Sequence, residues 1–222
     1  MIYKPTSSAD CWKEFLADPE KQWKKGYSAR SMAHAWETYN GLPKRIKKAL
    51  SPISENIEPL IVIPEFKVPM PGQGADSQND AFLLARIGDQ TAAIMIEGKV
   101  NESFGPEVGS WMKNASMNKH HRLDGICDIL GLTDKPDPKL RYQLFHRTAS
   151  AVLTARRFNA DFAIMLVHSF SQDHIWFEDY IAFARTMGVS DPLRGTVQQT
   201  NTSTAKPLYL GWVTGEPRFL SA

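Results

Sequence analysis

The chain has 222 residues, of which 42% are hydrophobic and 23% are charged, a composition typical of a globular protein with a substantial core. Its 26 Lys and Arg residues nearly balance 24 Asp and Glu residues, so the net charge of +2 excludes a polybasic or a strongly acidic protein. A local basic patch remains compatible with that balance. The length allows one large domain or at most two small ones, and we predict a single domain over residues 1–222.

The cysteine content and the apolar runs indicate a reduced, intracellular environment. Cys11 and Cys127 lie far apart, and their spacing fits neither a zinc site nor a disulfide framework. Met1–Thr6 lacks the apolar core of a signal peptide, and no apolar run reaches the ~20 residues that cross a bilayer. We therefore expect a cytoplasmic protein that does not associate with membranes.

The first 50 residues are predicted to be helical. Ser8 is placed to cap a short helix over 9–17. Ser28 is placed to cap a second helix, in which Met32 and Trp36 belong to an apolar stripe at helical spacing. Gly and Pro at 41–43 end that helix.

The same region has the largest excess of positive charge in the chain. Between Lys21 and Lys48 there are eight Lys or Arg residues and one acid, Glu37. Such a run is either a solvated face or a surface that contacts phosphates. The candidate nucleic-acid contacts are Lys24, Lys25, Arg30, Lys44, Arg45, Lys47 and Lys48.

Three strands are predicted after this helical region. The first covers 60–68, and Pro64 within it indicates an edge strand or a bulge. A loop follows, and then the segments 80–87 and 91–100 flank a tight turn at 88–90, which predicts a hairpin.

The second half returns to a helical period, interrupted by strands. Helices are predicted over 110–114, 123–132, 139–158 and 176–187, strands over 162–167 and 209–213, and a loop over 190–206. The order of helix, three strands, helix, strand indicates an α/β fold with a mixed central sheet flanked by helices.

Three polar residues fall on the predicted hairpin. Glu97 and Lys99 are two residues apart near the end of the third strand, so their side chains share one face. Asp80 opens the second strand at about the same separation from the turn, so all three are predicted at one end of the sheet.

Two carboxylates and a lysine in one place have a chemical use. Oxygen ligands suit a hard divalent cation such as Mg²⁺, and the carbonyl of Gly98 could be a third ligand beside Asp80 and Glu97. Lys99 could position a water or stabilise developing negative charge. The alternative is a simple ion pair between Glu97 and Lys99.

Asp80 followed by Glu97-Gly98-Lys99 at a hairpin end, within this order of elements, resembles the PD-(D/E)XK phosphodiesterase superfamily, although Asn79 stands where the motif has proline. The resemblance implies a restriction-endonuclease-like fold, with Asp80 and Glu97 binding Mg²⁺ or Mn²⁺ and Lys99 serving the nucleophilic water. It also suggests an acid on the first core helix, for which Glu37 is the candidate. A further catalytic candidate is Gln143 on the helix after the third strand.

Further residues are accessory candidates, each with a simpler alternative. Arg147 shares a helix face with Gln143, and both could merely form hydrogen bonds with the sheet. Glu65 could point into the cleft or alternate outward. Glu102 lies in a predicted turn, where a solvated side chain is the simpler interpretation.

The stretches SQNDAFLLAR, IEGKVNESFGP and YQLFHRTASA are also similar to a bacterial family of about this length, which supplies no activity. The sequence thus predicts a Mg²⁺-dependent nuclease acting on DNA, with a homodimer as an open possibility. The alternative is a catalytically inactive binding or assembly module on the same fold, whose partner surface would include Trp111, Phe104 and Trp176.

Overall fold

The computed structural model of the chain describes residues 5–222 and is built around a six-stranded sheet. Met1–Lys4, part of the segment in which no signal peptide is predicted, lie outside the described residues. The strands are β1 (Ile57–Val68), β2 (Ser77–Ile87), β3 (Gln90–Lys99), β4 (Phe162–Ser169), β5 (Thr196–Gln199) and β6 (Leu208–Thr214), in the spatial order β1-β2-β3-β4-β6-β5.

Helices flank this sheet on both sides. The α-helices are α1 (Pro19–Gln22), α2 (Ser28–Thr38), α3 (Lys44–Leu50), α4 (Val108–Trp111), α5 (Met117–Leu130), α6 (Tyr142–Arg157) and α7 (Phe177–Thr186). Two 3-10 helices cover Ala9–Phe15 and Pro217–Leu220. None of the helices in the described part of the chain has the length and apolar character that a membrane crossing requires.

The strand pairing confirms the predicted mixed α/β fold. Strands β1, β2 and β3 form an antiparallel meander, and β1 is an edge strand, as Pro64 predicted. The chain then crosses over through α6 and returns as β4, which is parallel to β3. Strand β6 continues the parallel part, and β5 is antiparallel to it at the other edge. Parallel neighbours need such a helical crossover.

The sheet separates two apolar cores, and strand β3 contributes to both of them. Ala93 and Met95 pack on the side of α5 and α6, while Ile94 and Ile96 pack on the side of α2 and α3. Each large apolar side chain buried in this way contributes about 1.5–3 kcal/mol. The central strand is therefore fixed on both faces, and it holds the polar residues at its end in place.

The structure corrects several predicted elements. Residues 196–199 form strand β5 inside the predicted loop, because they pair with β6 despite their polar composition. Helix α5 begins at Met117, earlier than predicted, and the first predicted helix is a 3-10 helix. Neither Ser8 nor Ser28 caps its helix through its side chain; the residue before helix α2 is Tyr27.

Candidate functional site

A cavity of about 300 Å³ lies where the β2–β3 hairpin ends, between the start of α2 and the start of α6. The pairing of β2 with β3 stops at Ala81 and Ile96, and the next residue along each strand, Asp80 and Glu97, lines this cavity. Its polar lining consists mainly of Lys21, Ser28, Glu65, Asp80, Glu97, Lys99, Glu102, Gln143 and Arg147. We call this space the carboxylate cavity.

Glu97 is the centre of a buried hydrogen-bond network in this cavity. Lys99 Nζ lies 2.5 Å from Glu97 Oε1, and Gln143 Nε2 donates to the same oxygen over 2.7 Å. Arg147 Nε donates to Glu97 Oε2 over 2.5 Å. Burial alone would raise the pKa of Glu97, but the Arg147 and Lys99 cations outweigh it and hold this pKa at about 2. Glu97 is therefore ionised and saturated with donors.

Asp80 lies beside this network without receiving a cation of its own. Its Oδ2 accepts a hydrogen bond of 2.6 Å from the backbone N–H of Gly98. Burial, followed by the negative charge of Glu97, raises the pKa of Asp80 to about 7. Asp80 is thus a carboxylate whose charge the described residues compensate only in part.

Glu65 is a third carboxylate in the cavity, and its backbone is unusual. Its φ of 50° is in the left-handed region, which a long side chain rarely adopts. Glu65 Oε2 accepts a hydrogen bond of 2.6 Å from Gln78 Nε2. Burial and the charge of Asp80 raise the pKa of Glu65 to about 8. The strained turn of the strand places this acid in the cavity, where it repels Asp80.

Gly98 permits the close approach of these elements. A Cβ at this position would collide with the side chain of Met32 and lie 3.2 Å from Asp80 Oδ2. Because N–H and C=O of one strand residue point to the same edge, the Gly98 carbonyl faces the unpaired end of the hairpin together with its N–H. This orientation is compatible with the predicted ligand role of that carbonyl.

The donor set fits a hydrated magnesium ion better than a closed metal cage. Among residues 5–222, no group of three or more His, Cys, Asp and Glu side chains is arranged to hold a metal. Mg²⁺, however, needs one or two carboxylates and keeps several waters. Asp80 and Glu65 lack a cation, and Gln143 Oε1 is a buried acceptor with no partner in the described chain. These oxygens suit a small hard cation.

The structure brings together most of the predicted site residues. Asp80, Glu97, Gly98, Lys99, Gln143, Arg147, Glu65 and Glu102 all line the carboxylate cavity. Glu102 is not simply solvated, as its predicted turn suggested. Its Oε1 accepts from both the N–H and the hydroxyl of Ser28, so it binds the start of helix α2.

Glu37 is the predicted accessory acid that the structure places elsewhere. It lines a different cavity near the end of α2, where its Oε1 accepts hydrogen bonds from Thr6 Oγ1 and Trp12 Nε1. It lies on the predicted first core helix, but more than two turns beyond the residues of α2 that face the carboxylate cavity. The hypothesis of a role in this site is therefore wrong for Glu37.

Six of the seven basic candidates occupy two separate surfaces, and none of the seven lines the carboxylate cavity. Lys24 and Lys25 are exposed just before α2, close in sequence to Lys21 at the cavity. Helix α3 carries Lys44, Arg45, Lys47 and Lys48, and it packs near β5 and β6. Arg45 also donates hydrogen bonds to the carbonyls of Thr214 and Gly215. Arg30, on α2, has its Nε buried without an acceptor in the described chain.

The predicted aromatic partner surface is not exposed as a whole. Phe104 is fully buried, and the ring lies under Lys99, with Nζ 5.1 Å from the ring centre. Trp111 stacks on Tyr142 with ring centres 3.8 Å apart, and Trp176 is half-buried. The binding-module hypothesis therefore loses Phe104 as a surface residue.

Sequence reasoning missed Gln78 and Ser77. Gln78 could have been predicted, because it precedes Asp80 by two residues on the same strand, and the two side chains therefore lie on the same face of the sheet. Ser77 Oγ accepts a hydrogen bond from Arg147 Nη1 over 3.0 Å and also contacts His146. That contact joins residues 70 positions apart, and nothing local predicts it.

Residues 5–217 match the sequence family described as "Domain of unknown function (DUF6946)". The chain belongs to the DUF6946 family. This match covers nearly all of the chain, including every residue of the carboxylate cavity named above. No curated protein and no solved structure matches this DUF6946 chain.

Proposed function

We propose that this chain is a metal-dependent nuclease that hydrolyses DNA phosphodiester bonds, with a site of the PD-(D/E)XK kind. The observation that carries the proposal is the charge imbalance in the carboxylate cavity. Glu97 is neutralised by two buried cations, whereas Asp80 and Glu65 receive hydrogen bonds only from neutral groups. Keeping such half-buried carboxylates ionised is unfavourable unless a cation joins them; otherwise they take up a proton.

In this proposal, Asp80 and Glu97 hold Mg²⁺ or Mn²⁺, with the Gly98 carbonyl and Gln143 Oε1 as further oxygen donors. When bound, the ion supplies positive charge to the phosphodiester and lowers the pKa of water. Lys99 Nζ, next to Glu97, can donate a hydrogen bond to a water or a phosphate oxygen. Arg147 and Gln143 keep the Glu97 carboxylate in one orientation.

The proposed substrate is DNA, because the exposed basic residues near the cavity can contact phosphates without reading bases. Lys24 and Lys25 lie in the segment between Lys21 and Ser28, both of which line the cavity. Their neutralisation should weaken DNA binding and reduce its dependence on salt concentration. Helix α3 would be a second and more distant phosphate contact.

A cytoplasmic location and a single-domain organisation complete the proposal. Cys11 and Cys127 are free in the structure, which suits a reducing compartment. A homodimer would allow cleavage of both strands of a duplex. A measurement of the molecular mass in solution tests the oligomeric state.

The decisive experiment compares cleavage of supercoiled plasmid and of short single strands with Mg²⁺, Mn²⁺ or EDTA. Asp80→Asn should abolish cleavage while the variant remains folded, because the amide keeps the shape but not the charge. Asp89→Asn is the matched control, since Asp89 is exposed in the turn at the opposite end of the same hairpin. If the wild type cleaves no nucleic acid, or if Asp80→Asn cleaves as well as Asp89→Asn, the nuclease proposal is wrong.

A second candidate is the catalytically inactive module, and one observation favours it. Both oxygens of Glu97 are already occupied by donors from the chain, which leaves this residue little capacity for a metal. In that case Mg²⁺ and Mn²⁺ should change neither the melting temperature nor the activity. Cleavage of nucleic acid by the wild type with divalent cations, lost in Asp80→Asn, would exclude this candidate.

A further inference from the structure

A neighbouring cavity of about 270 Å³ adjoins the carboxylate cavity at the start of helix α2. It is lined by Gly26, Tyr27, Asn101 and Glu102, and two of these residues, Tyr27 and Glu102, also line the carboxylate cavity. Tyr27 and Glu102 therefore lie between the two spaces. We call the neighbouring space the tyrosine cavity.

The backbone on both sides of Tyr27 is held in place by hydrogen bonds. The N–H of Tyr27 donates to the carbonyl of Lys24 over 3.1 Å. On the other side, Glu102 Oε1 accepts from the N–H of Ser28 over 2.9 Å and from its hydroxyl over 3.0 Å. Glu102 Oε2 accepts from the N–H of Val100 over 2.8 Å. Glu102 thus ties the start of α2 to the segment that follows β3.

The side chain of Tyr27, in contrast, is left open to solvent. It is 41% exposed, which few large apolar side chains of the described residues are, and it belongs to neither apolar core. A tyrosine ring offers a large contact area and loses little conformational entropy on binding. An exposed ring on a fixed backbone is therefore suited to stack on a planar group of a ligand.

Exposed positive charge surrounds this ring. Lys24 Nζ lies 5.9 Å from the centre of the Tyr27 ring, and Lys24 and Lys25 are both exposed. Lys21 is exposed as well and lines the carboxylate cavity. Residues 21–28 contain no Asp or Glu. Exposed lysines next to an open aromatic ring are typical of surfaces that bind single-stranded nucleic acid, where the lysines follow the phosphates and the ring stacks on a base.

An open aromatic ring distinguishes a single strand from a duplex. A base that stacks on a side chain must have a free face, whereas neighbouring bases cover both faces inside a duplex. Tyr27 forms part of the wall of the carboxylate cavity, so a strand with a phosphate in that cavity can bring an adjoining base to the ring. Both requirements, a phosphate in one cavity and a free base in the next, are met by one unpaired strand.

We infer that Tyr27 stacks on an unpaired base of DNA next to the phosphate in the carboxylate cavity, so that single strands and unpaired ends are the preferred substrates. The inference rests on the proposed nuclease function and specifies the form of DNA on which it acts. Every base has a flat face, so no sequence preference is expected. A supercoiled plasmid remains a substrate at sites that negative supercoiling opens.

The test is binding of a short fluorescent single strand of DNA in EDTA, measured by anisotropy and compared with the duplex of the same sequence. Tyr27→Ala should weaken binding of the single strand about tenfold and binding of the duplex less than about twofold. Tyr27→Phe keeps the ring and should bind the single strand like the wild type. The control is Phe158→Ala, which removes a ring of similar exposure, 39%, at the opposite end of α6 from the carboxylate cavity.

Two additions separate stacking from indirect effects. Tyr27→Leu keeps an apolar side chain of similar size, so it covers the case that Tyr27→Ala misfolds, and it should show the same loss of binding. A fluorescent base analogue whose emission falls on stacking should be quenched by the wild type and by Tyr27→Phe, but not by Tyr27→Leu.

The outcomes distinguish the inference from the nuclease proposal, because binding is measured without metal. Equal affinity of Tyr27→Leu and Tyr27→Phe for the single strand, or no binding of single strands by the wild type, overturns the inference. If DNA is cleaved with Mg²⁺ but single-strand binding does not depend on the Tyr27 ring, the inference alone is wrong. If that binding depends on the ring and no DNA is cleaved, the nuclease proposal alone is wrong.

Discussion

Replacing Glu97 by glutamine should strongly destabilise the protein, because this residue is the only anion that contacts two buried cations of the described chain. Lys99 is 4% and Arg147 9% exposed, and each bonds a different oxygen of Glu97. Removing one partner of a buried ion pair costs about 3–5 kcal/mol, since the remaining charge stays desolvated. That is a large part of the 5–15 kcal/mol typical of a whole protein.

Urea denaturation at neutral pH measures this cost directly. With a slope of about 3 kcal/mol per M, Glu97→Gln should lower the midpoint by about 1 M or more at unchanged slope. Glu58→Gln is the matched control, because Glu58 pairs with Arg86 at 3.3 Å while both side chains are more than half exposed. Its cost should stay below about 1 kcal/mol. If the two variants unfold within about 1 kcal/mol of each other, Glu97 does not hold the network together as described.

The remaining predictions concern the neighbours of Glu97. Gly98→Ala should reduce cleavage more than tenfold, because the added methyl collides with Met32 and crowds Asp80. Plasmid assays at equal concentrations of folded protein measure this. Full activity would contradict the close contact of Gly98 with these two side chains. In EDTA, the free energy of unfolding should fall as pH rises from about 4 to 8. The raised pKa values of Asp80 and Glu65 keep both residues protonated in the folded protein, whereas the unfolded chain releases these protons. Mg²⁺ should remove that loss, so it should raise the melting temperature more at pH 8 than at pH 5; an equal rise at both would refute this.

Much of the site could be predicted because it depends on local geometry. The tight turn at 88–90 fixes the hairpin register, so counting from it is enough to place Asp80 beside Glu97. Alternation along the strand places Lys99 on the same face. Gln143 and Arg147 follow from helical spacing once α6 covers that face.

The predictions failed where tertiary contacts determine the structure. Glu37 lies on the expected helix, but at the end that is far from the carboxylate cavity. The position of α2 along the sheet is set by packing of residues such as Met32 against distant strands. The polar strand β5 forms because β6 offers an unpaired edge. The left-handed backbone of Glu65 has no sequence signature, since this conformation favours glycine and asparagine rather than glutamate.

Glu97 and Asp80 differ in whether a cation contacts them, and this difference leads to a last prediction about how a metal could reach Glu97. Asp80 is free to accept a cation, but Glu97 must first lose a donor, and Arg147 is the residue that holds Oε2. Arg147→Met should therefore free that oxygen and remove a repelling charge. Affinity for Mn²⁺, measured by calorimetry, should rise by about tenfold or more, equivalent to about 1.4 kcal/mol.

Asp80→Asn in the Arg147→Met background is the control, and it should lose most of that gain, because two adjacent carboxylates bind a divalent ion better than one. If Arg147→Met leaves Mn²⁺ affinity unchanged, Glu97 is a structural anion and not a metal ligand. The cation would then be bound by Asp80 and Glu65, which the protein leaves without a cationic partner among the described residues.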